Sequence, residues 1–294
     1  MLPRYPEFTS ISLDLKNDMQ TELSKTVDGV SEFTFANLYL FRARYNYQIS
    51  SDSQGVLLVS GERDGKKFFE TPCGVPEKAV LEALLDSHSY WKCIPQSILE
   101  ANPNLAGDFN IEITEDRDNF DYLYLKTDLS LLSGKKFHKK RNLVNAFMLS
   151  YPQHSEAPLT KDNISHAISV LDRWRDDKGS DGDYTASREA LELFEELGLQ
   201  GAVYSIRGTA AAYCLGESLS CGTMFGLHFE KGIDEYKGIY QFINQSFAAS
   251  LADNFVYINR EQDLGDEGLR QAKMTYRPCG FVQKFTGLPL RQKS

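Results

Sequence analysis

The chain has 294 residues, which is enough for two domains of ordinary size, and 41% of them are hydrophobic while 25% are charged. Its formal net charge of −9 disfavours general binding to nucleic acid or to anionic lipid, because both repel an acidic surface. We therefore expect no DNA partner, and any tRNA or lipid partner needs a local basic patch.

No run of residues approaches the roughly 18 apolar positions of a transmembrane helix. The first ten residues, MLPRYPEFTS, lack the apolar core of a secretory signal. The five cysteines are scattered and contain no C-x-x-C pair, which argues against a disulfide framework and against a zinc site. These features predict a cytoplasmic protein without a transmembrane segment and without a bound metal.

Helices and strands mix in the first half of the chain, which indicates an α/β domain. The predicted elements are a helix and a strand within 31–49, a hairpin at 54–70, a helix at 76–85, a strand at 91–94 and a helix at 95–100. Segments 110–114 and 120–126 alternate in polarity and predict two paired strands. Prolines at 152 and 158 mark a boundary, so we expect domains at 1–150 and 151–294.

A basic helix is predicted just before this boundary. Phe137, Val144 and Met148 form an apolar stripe at helical spacing, and the remaining surface carries the cations Lys139, Lys140 and Arg141. Two interpretations stay open for these cations. They form either an ordinary solvated face or an anion site for the phosphates of a donor, a lipid head group or tRNA.

The second half predicts the order helix, helix, strand, strand, strand, helix, strand, helix, strand. The predicted strands are 202–206, 210–215, 223–228 and 255–258, with helices at 239–252 and 268–276. The strand at 255–258 ends in a polar segment, Asn259-Arg260-Glu261-Gln262-Asp263. Polar side chains just past a strand's carboxyl end commonly build ligand sites in α/β proteins.

Ala272, Tyr276 and Gly280-Phe281 give the pattern A-x-x-x-Y-x-x-x-G-F. This pattern and the element order resemble the GCN5-related N-acetyltransferase (GNAT) fold. The resemblance implies that two central strands splay apart around an acyl donor, and that phosphates of coenzyme A bind the N-terminus of the intervening helix. Lys237 and Gly238 occupy that place, with one glycine where GNAT enzymes have a second small residue.

A closer resemblance covers almost the whole chain. The segments SEFTFANLYLFR, LSGKKFHKKRN, KGIYQFINQSF and REQDLGDEGLRQAKMTYRP are similar to a bacterial family related to the C-terminal domain of phosphatidylglycerol lysyltransferases. The resemblance implies two tandem GNAT-like domains with mixed sheets, similar also to Fem-type peptidyltransferases, and an acyl- or aminoacyltransferase. The donor is then a coenzyme A thioester or aminoacyl-tRNA, used as a co-substrate and not tightly bound, and the acceptor is an amine or hydroxyl of a small molecule or lipid head group.

Acyl transfer needs a base for the nucleophile and an acid for the leaving group. We predict Glu261 as the base, with Asp263 as the alternate, and the resemblance implies that Tyr276 protonates the leaving group. Arg270 and Lys273 lie one helical turn apart and are predicted to neutralise a carboxylate or phosphate. The alternative for Glu261, Asp263, Arg270 and Lys273 is a structural salt-bridge network. For the whole chain the alternative is a non-catalytic binding protein that retains the tandem fold.

Overall fold

The computed structural model describes residues 2–290, which divide into two compact units. The described residues of the first unit are 2–121, 262–265 and 282–290, and those of the second are 122–261 and 266–281. This division differs from the expected boundary at 150, because residues 122–150 belong to the second unit and residues 282–290 return to the first. Among residues 2–290 no helix is both long and apolar enough to cross a lipid bilayer.

The first unit contains a seven-stranded mixed sheet. Its strands are β1 (Thr9–Ser10), β2 (Gln48–Ser51), β3 (Leu57–Arg63), β4 (Lys66–Glu70), β5 (Tyr90–Pro95), β6 (Ile111–Glu115) and β14 (Lys284–Pro289). They lie in the order β1-β2-β3-β4-β5-β14-β6, so the last strand of the chain inserts between β5 and β6. Strands β4 and β5 are parallel and pair only at Phe68↔Tyr90 and Phe69↔Trp91.

The helices of the first unit are α1 (Lys16–Leu23), α2 (Phe35–Leu40), α3 (Lys78–Ser87), α4 (Gln96–Ala101) and α5 (Leu105–Asp108). Helix α3 connects the parallel strands β4 and β5. Its apolar stripe, Leu81, Leu84 and Leu85, packs in one cluster with Phe69 and Trp91 of those strands. One face of this sheet is therefore covered by apolar side chains.

The second unit is built on another seven-stranded sheet. Its strands are β7 (Asp121–Leu125), β8 (His154–Pro158), β9 (Gln200–Ile206), β10 (Thr209–Leu219), β11 (Met224–Gly232), β12 (Tyr257–Asn259) and β13 (Gly280–Val282). They lie in the order β13-β7-β12-β11-β10-β9-β8. The predicted strands at 202–206, 210–215 and 223–228 are thus confirmed and are longer than predicted, whereas the strand predicted at 255–258 is found at Tyr257–Asn259.

The helices of the second unit are α6 (Lys126–Leu131), α7 (His138–Ser150), α8 (Ile164–Lys178), α9 (Tyr184–Glu192), α10 (Phe194–Leu197), α11 (Ile239–Ser250) and α12 (Glu267–Met274). Helix α11 crosses over between the parallel strands β11 and β12, as predicted. Its residues Ile239, Phe242 and Ile243 share a core cluster with Val144 and Phe147 of α7. Met148, which was predicted in the same stripe, is instead 39% exposed.

The predicted pairing of 110–114 with 120–126 is wrong. Strand β6 pairs with β14 in the first sheet, and β7 pairs with β12 in the second. The two segments do form strands, but a turn at Arg117–Asn119 separates them and the chain passes from one unit to the other. Alternation of polarity predicts a strand without identifying its partner.

Candidate active site

The two central strands of the second sheet separate at the position where the site lies. Strands β11 and β12 pair at Met224↔Tyr257, Phe225↔Ile258 and Gly226↔Asn259. Beyond these pairs β11 continues to Gly232, whereas β12 ends, so β11 and the segment that follows Asn259 are no longer paired with each other. We call the place where they part the opening. In that segment Glu261 has φ +55°, a left-handed conformation that is uncommon for residues other than glycine.

A buried ion pair lies beside this opening. The guanidinium of Arg260 donates to Glu230 Oε1 over 3.0 Å, and the amide of Asn244 on α11 donates to Glu230 Oε2 over 2.8 Å. The Glu230 and Arg260 side chains are 12% and 15% exposed. Although burial opposes its charge, Arg260 has a raised pKa because Glu230 lies next to it. Strand β11, the end of β12 and α11 thus meet in one charged cluster.

Tyr276, which follows α12, belongs to the same cluster. The guanidinium carbon of Arg260 lies 5.2 Å from the centroid of its ring, and Gln241 is also a neighbour of its hydroxyl. Burial raises the pKa of Tyr276 to about 12, so the phenol is protonated at neutral pH. A protonated phenol beside a guanidinium can donate its proton to a bound group.

The basic helix contributes one of its cations to this cluster. Lys140 Nζ lies 3.9 Å from the ring centroid of Tyr276. Its pKa is lowered, first by burial and then by the neighbouring charge of Arg260. The structure therefore brings together Lys140 and Tyr276, two predicted site residues that are 136 positions apart in the sequence.

A second charged group surrounds His228. The pairing of β10 with β11 shifts register so that Leu215 pairs with Phe229 and Gly216 with Leu227, which leaves His228 as the extra residue of a β-bulge. Its Nδ1 lies 2.6 Å from Glu261 Oε1 and its Nε2 lies 3.0 Å from Glu217 Oε1. A ring held on both sides by carboxylates carries two protons, and it fixes the predicted base Glu261 at the opening.

Replacing His228 with Gln should remove a pH-dependent contribution to stability. Burial disfavours the imidazolium, but the two carboxylates raise the pKa of His228 to about 10. Because the pKa of His228 is higher in the folded state, protonation of its ring stabilises the fold. This stabilisation is fully present below the unfolded pKa of about 6.5 and is lost as the pH rises towards 10. Urea unfolding should show that the wild-type advantage over His228→Gln shrinks by roughly 1.4 kcal/mol per pH unit across that window.

The matched control for this prediction is His166→Asn, because His166 is exposed on α8. We expect it to unfold like the wild type at each pH. An advantage of wild type over His228→Gln that stays constant from pH 6 to about pH 9.5 would show that His228 is not held as an imidazolium.

Lys273 has structural contacts. Its Nζ donates to the carbonyl oxygens of Arg260 over 2.6 Å and of Glu261 over 3.0 Å, so it fixes α12 to the segment that carries both side chains. Tyr124 in turn donates its hydroxyl to the carbonyl of Lys273 over 2.9 Å. These contacts favour the structural alternative for Lys273, whereas the anion-binding role of the half-buried Arg270 stays a prediction.

Asp263 belongs to the first compact unit. It is fully buried, its Oδ1 accepts the N–H of Gly265 over 2.9 Å, and its Oδ2 lies 3.5 Å from Arg117 Nη1. A carboxylate with these contacts stabilises the turn that follows it. Of the two predicted bases, Glu261 is therefore the one whose surroundings suit the role, and it remains 21% exposed.

Gly238 begins α11, where the resemblance implies a phosphate-binding loop. It has φ +92°, and a Cβ built on it would lie 3.0 Å from the carbonyl oxygen of Leu143 and 3.3 Å from Cβ of Phe147. The start of α11 therefore packs closely on α7. Lys237 is exposed beside it.

Replacing Gly238 with Ala should destabilise the second unit by about 1–3 kcal/mol, because it adds a strained backbone and a close contact with α7. Gly208→Ala is the matched control, since Gly208 has φ +78° but nothing within 4 Å of an added Cβ. We expect the melting temperature to fall further for Gly238→Ala than for the control. Equal falls would mean that the contact with α7 costs nothing.

The other predicted cations of α7 have different surroundings. Lys139 is exposed, whereas Arg141 donates to the carbonyl oxygens of Leu132 and Gly134 over 2.5 and 3.3 Å. Arg141 thus stabilises the turn before α7. The predicted anion patch retains Lys139 as its exposed member and Lys140 as the member that reaches Tyr276.

Sequence reasoning gave no role to the side chains of Arg260, Glu230, His228 and Asn244. One signal was available for two of them, because His228 and Glu230 are polar residues two positions apart in an otherwise largely apolar strand. Asn244 gave no such signal, since one amide on a helix is ordinary. Arg260 lay in the polar segment after β12 but was indistinguishable there from its neighbours.

The second unit has two central parallel strands that part at a charged opening, a crossover helix that joins them and a tyrosine after the next helix. These features place the protein in the class of GNAT-like acyltransferase folds. The chain belongs to the family of phosphatidylglycerol lysyltransferase C-terminal domains, whose family model matches residues 25–286. The predicted family and the predicted fold of tandem GNAT-like domains are thereby confirmed.

Three solved structures illustrate this relationship. A conserved protein of unknown function from Bacteroides thetaiotaomicron is 30% identical with a TM-score of 0.86, and the match covers 98% of this chain and 100% of that one. L-PGS from Bacillus licheniformis is 13% identical with a TM-score of 0.65 over 97% and 94% of the two chains. A GNAT-family acetyltransferase from Colwellia psychrerythraea is 10% identical with a TM-score of 0.52 over 97% and 100%.

One curated relative also matches. It is an uncharacterised protein of Mycoplasmoides gallisepticum, 21% identical in an alignment of 185 residues that covers 60% of this chain. The match spans 58% of that relative's length.

Proposed function

We propose that the protein transfers an aminoacyl group from aminoacyl-tRNA to an amine or hydroxyl acceptor, at the opening between β11 and β12. The family supports acyl or aminoacyl transfer as the general kind of function. The observation that carries the proposal for this chain is the cluster of Tyr276, Arg260 and Lys140, in which a protonated phenol lies between cations beside the separated strands.

In this mechanism the acceptor attacks the ester carbonyl of the donor and loses its proton to Glu261, which His228 holds in place. Backbone N–H groups of β11 beyond Gly226 no longer face a paired β12, and they stabilise the developing oxyanion. Tyr276 gives its proton to the leaving ribose oxygen. Solvent then returns a proton to Tyr276 and removes one from Glu261, so the site is restored.

Two features support aminoacyl-tRNA over a coenzyme A thioester as the donor. The loop before α11 offers Gly238 as its one glycine, and the start of α11 packs closely on α7, which leaves little room for a pyrophosphate there. The exposed cation Lys139 lies on the same helix as Lys140, so α7 presents positive charge outside the cluster as well as within it. For the acceptor, the family name supports a lipid head group.

Equilibrium binding tests the donor. We expect fluorescently labelled charged tRNA to bind and acetyl-coenzyme A not to compete. Lys139→Ala should weaken tRNA binding and reduce the slope of log K against log salt by about one, because one phosphate contact is lost. Lys178→Ala, which removes an exposed lysine at the end of α8, is the control. Competition by acetyl-coenzyme A would instead assign the site to a thioester donor.

A further inference from the structure

The first unit contains a cavity lined by several charged residues, on the face of its sheet that α3 does not cover. Alternate residues of neighbouring strands share a face, and here Lys66 of β4, Tyr90 and Lys92 of β5, and Thr286 and Leu288 of β14 line one cavity of about 350 Å³. The volume lies in the lower part of the range of about 300–1,000 Å³ that small-molecule pockets span. The cavity is thus of a size for one small ligand.

Cations outnumber anions along its walls. Arg63, Lys66 and Lys92 line the cavity together with Asp64 and Asp116. Asp64 is 88% exposed and its Oδ2 lies 3.5 Å from Arg63 Nε, so solvent screens it.

The second carboxylate is already engaged by neutral donors. Asp116 Oδ2 accepts hydrogen bonds from the Thr286 hydroxyl over 3.0 Å and from the Asn119 amide over 2.8 Å. These two donors hold the carboxylate in place at the wall. The rim of the cavity is left with two exposed cations, Arg63 and Lys66.

Lys92 is the buried cation of the cavity. Its side chain is 7% exposed, its Nζ lies 2.7 Å from Glu70 Oε1, and the ring centroid of Phe68 lies 5.0 Å from the same nitrogen. Burial opposes its charge, but the surrounding acidic groups raise the pKa of Lys92 well above its usual value, so it stays charged. An ammonium group has three N–H donors, and the bond to Glu70 uses one of them.

We propose that this cavity binds a small organic oxyanion, a carboxylate or a phosphate monoester, with Lys92 at its base and Arg63 and Lys66 at its rim. Tyr90 and Leu288 provide apolar walls for the body of the ligand. The residues of this site all belong to the first unit. The proposal does not depend on the proposed transfer reaction.

Isothermal titration with benzoate, phenyl phosphate and the neutral analogue benzamide tests this proposal. We expect one-to-one binding of an anion with a Kd of about 1 mM or tighter and no binding of benzamide. Benzoate binding better than phenyl phosphate would identify a carboxylate site, and the reverse order a phosphate site. If benzamide bound as strongly as benzoate, the cavity would not select for an anion and the proposal would be wrong.

The variant Arg63→Ala/Lys66→Ala should weaken anion binding at least about tenfold, and both side chains are exposed, so the fold should be retained. Lys67→Ala is the matched control, because Lys67 is exposed on the same strand but does not line the cavity. The proposal is overturned if neither anion binds, or if Arg63→Ala/Lys66→Ala binds as the wild type does.

Discussion

Replacing Tyr276 with Phe should slow acyl transfer by about 100-fold or more while leaving the melting temperature close to that of the wild type. The hydroxyl is the acid in the proposed reaction, and general acid catalysis typically contributes 10²–10⁴-fold. The ring, which packs in the core of the second unit under Lys140, is retained in Phe. The measurement is kcat for transfer, together with a thermal melt of each protein.

The control is Tyr151→Phe, which removes the hydroxyl of a tyrosine that packs against the same core cluster without belonging to the charged one. It should transfer at the wild-type rate. Full activity in Tyr276→Phe would remove the assigned role. A large loss of stability in Tyr276→Phe would mean that the hydroxyl holds Arg260 in place instead of reacting.

Replacing Lys284 with Met should destabilise the first unit by about 3–5 kcal/mol, because it leaves buried carboxylates without their cation. Lys284 is fully buried on β14, its Nζ lies 2.7 Å from Asp121 Oδ1, and it also pairs with Glu32. Burial alone would raise the pKa of Glu32, but Lys284 and Lys92 lower it below its usual value. Glu32 is therefore charged, and both Glu32 and Asp121 depend on Lys284 as their partner.

Urea unfolding of a Trp174→Phe background checks this prediction, since Trp91 is then the remaining tryptophan and lies in the core of the first unit. Lys67→Met, which replaces an exposed lysine, should change the unfolding free energy by less than about 0.5 kcal/mol. If Lys284→Met costs no more than that control, the buried cluster does not hold its carboxylates in the charged form. Adding Asp121→Asn should restore part of the loss, because one of the stranded charges is removed.

The sequence predicted the order and type of most elements because the patterns that specify them are local. The parallel neighbours β11 and β12 followed from the strand–helix–strand order around Ile239–Ser250, since such crossovers join parallel strands. The return of β14 to the first sheet could not be predicted. Residues 284–289 pair with segments about 170 to 196 positions earlier, and no local pattern identifies a partner at that distance.

The site was predicted in part for the same reason. Tyr276 and Glu261 lie on elements whose place follows from the resemblance, so their neighbourhood could be anticipated. Glu230 and His228 acquire their roles from Arg260 and Glu261, about 30 positions away, and from a bulge that the sequence does not reveal. The cations of the basic helix also differ in their surroundings: Lys139 is exposed, Arg141 binds backbone carbonyls and Lys140 lies over the ring of Tyr276. These differences depend on how α7 packs, which the sequence alone does not reveal.

The most direct test of the account is single-turnover transfer of a radiolabelled amino acid from charged tRNA to hydroxylamine, a small nucleophile that can stand in for the acceptor. We expect the wild type to form aminoacyl hydroxamate well above the uncatalysed rate, and Tyr276→Phe to form it at about one hundredth of the wild-type rate or less. The proposed function would be contradicted if the wild type were no faster than the uncatalysed reaction both with charged tRNA and with acetyl-coenzyme A. That result would favour a binding protein that retains the tandem fold without catalysis.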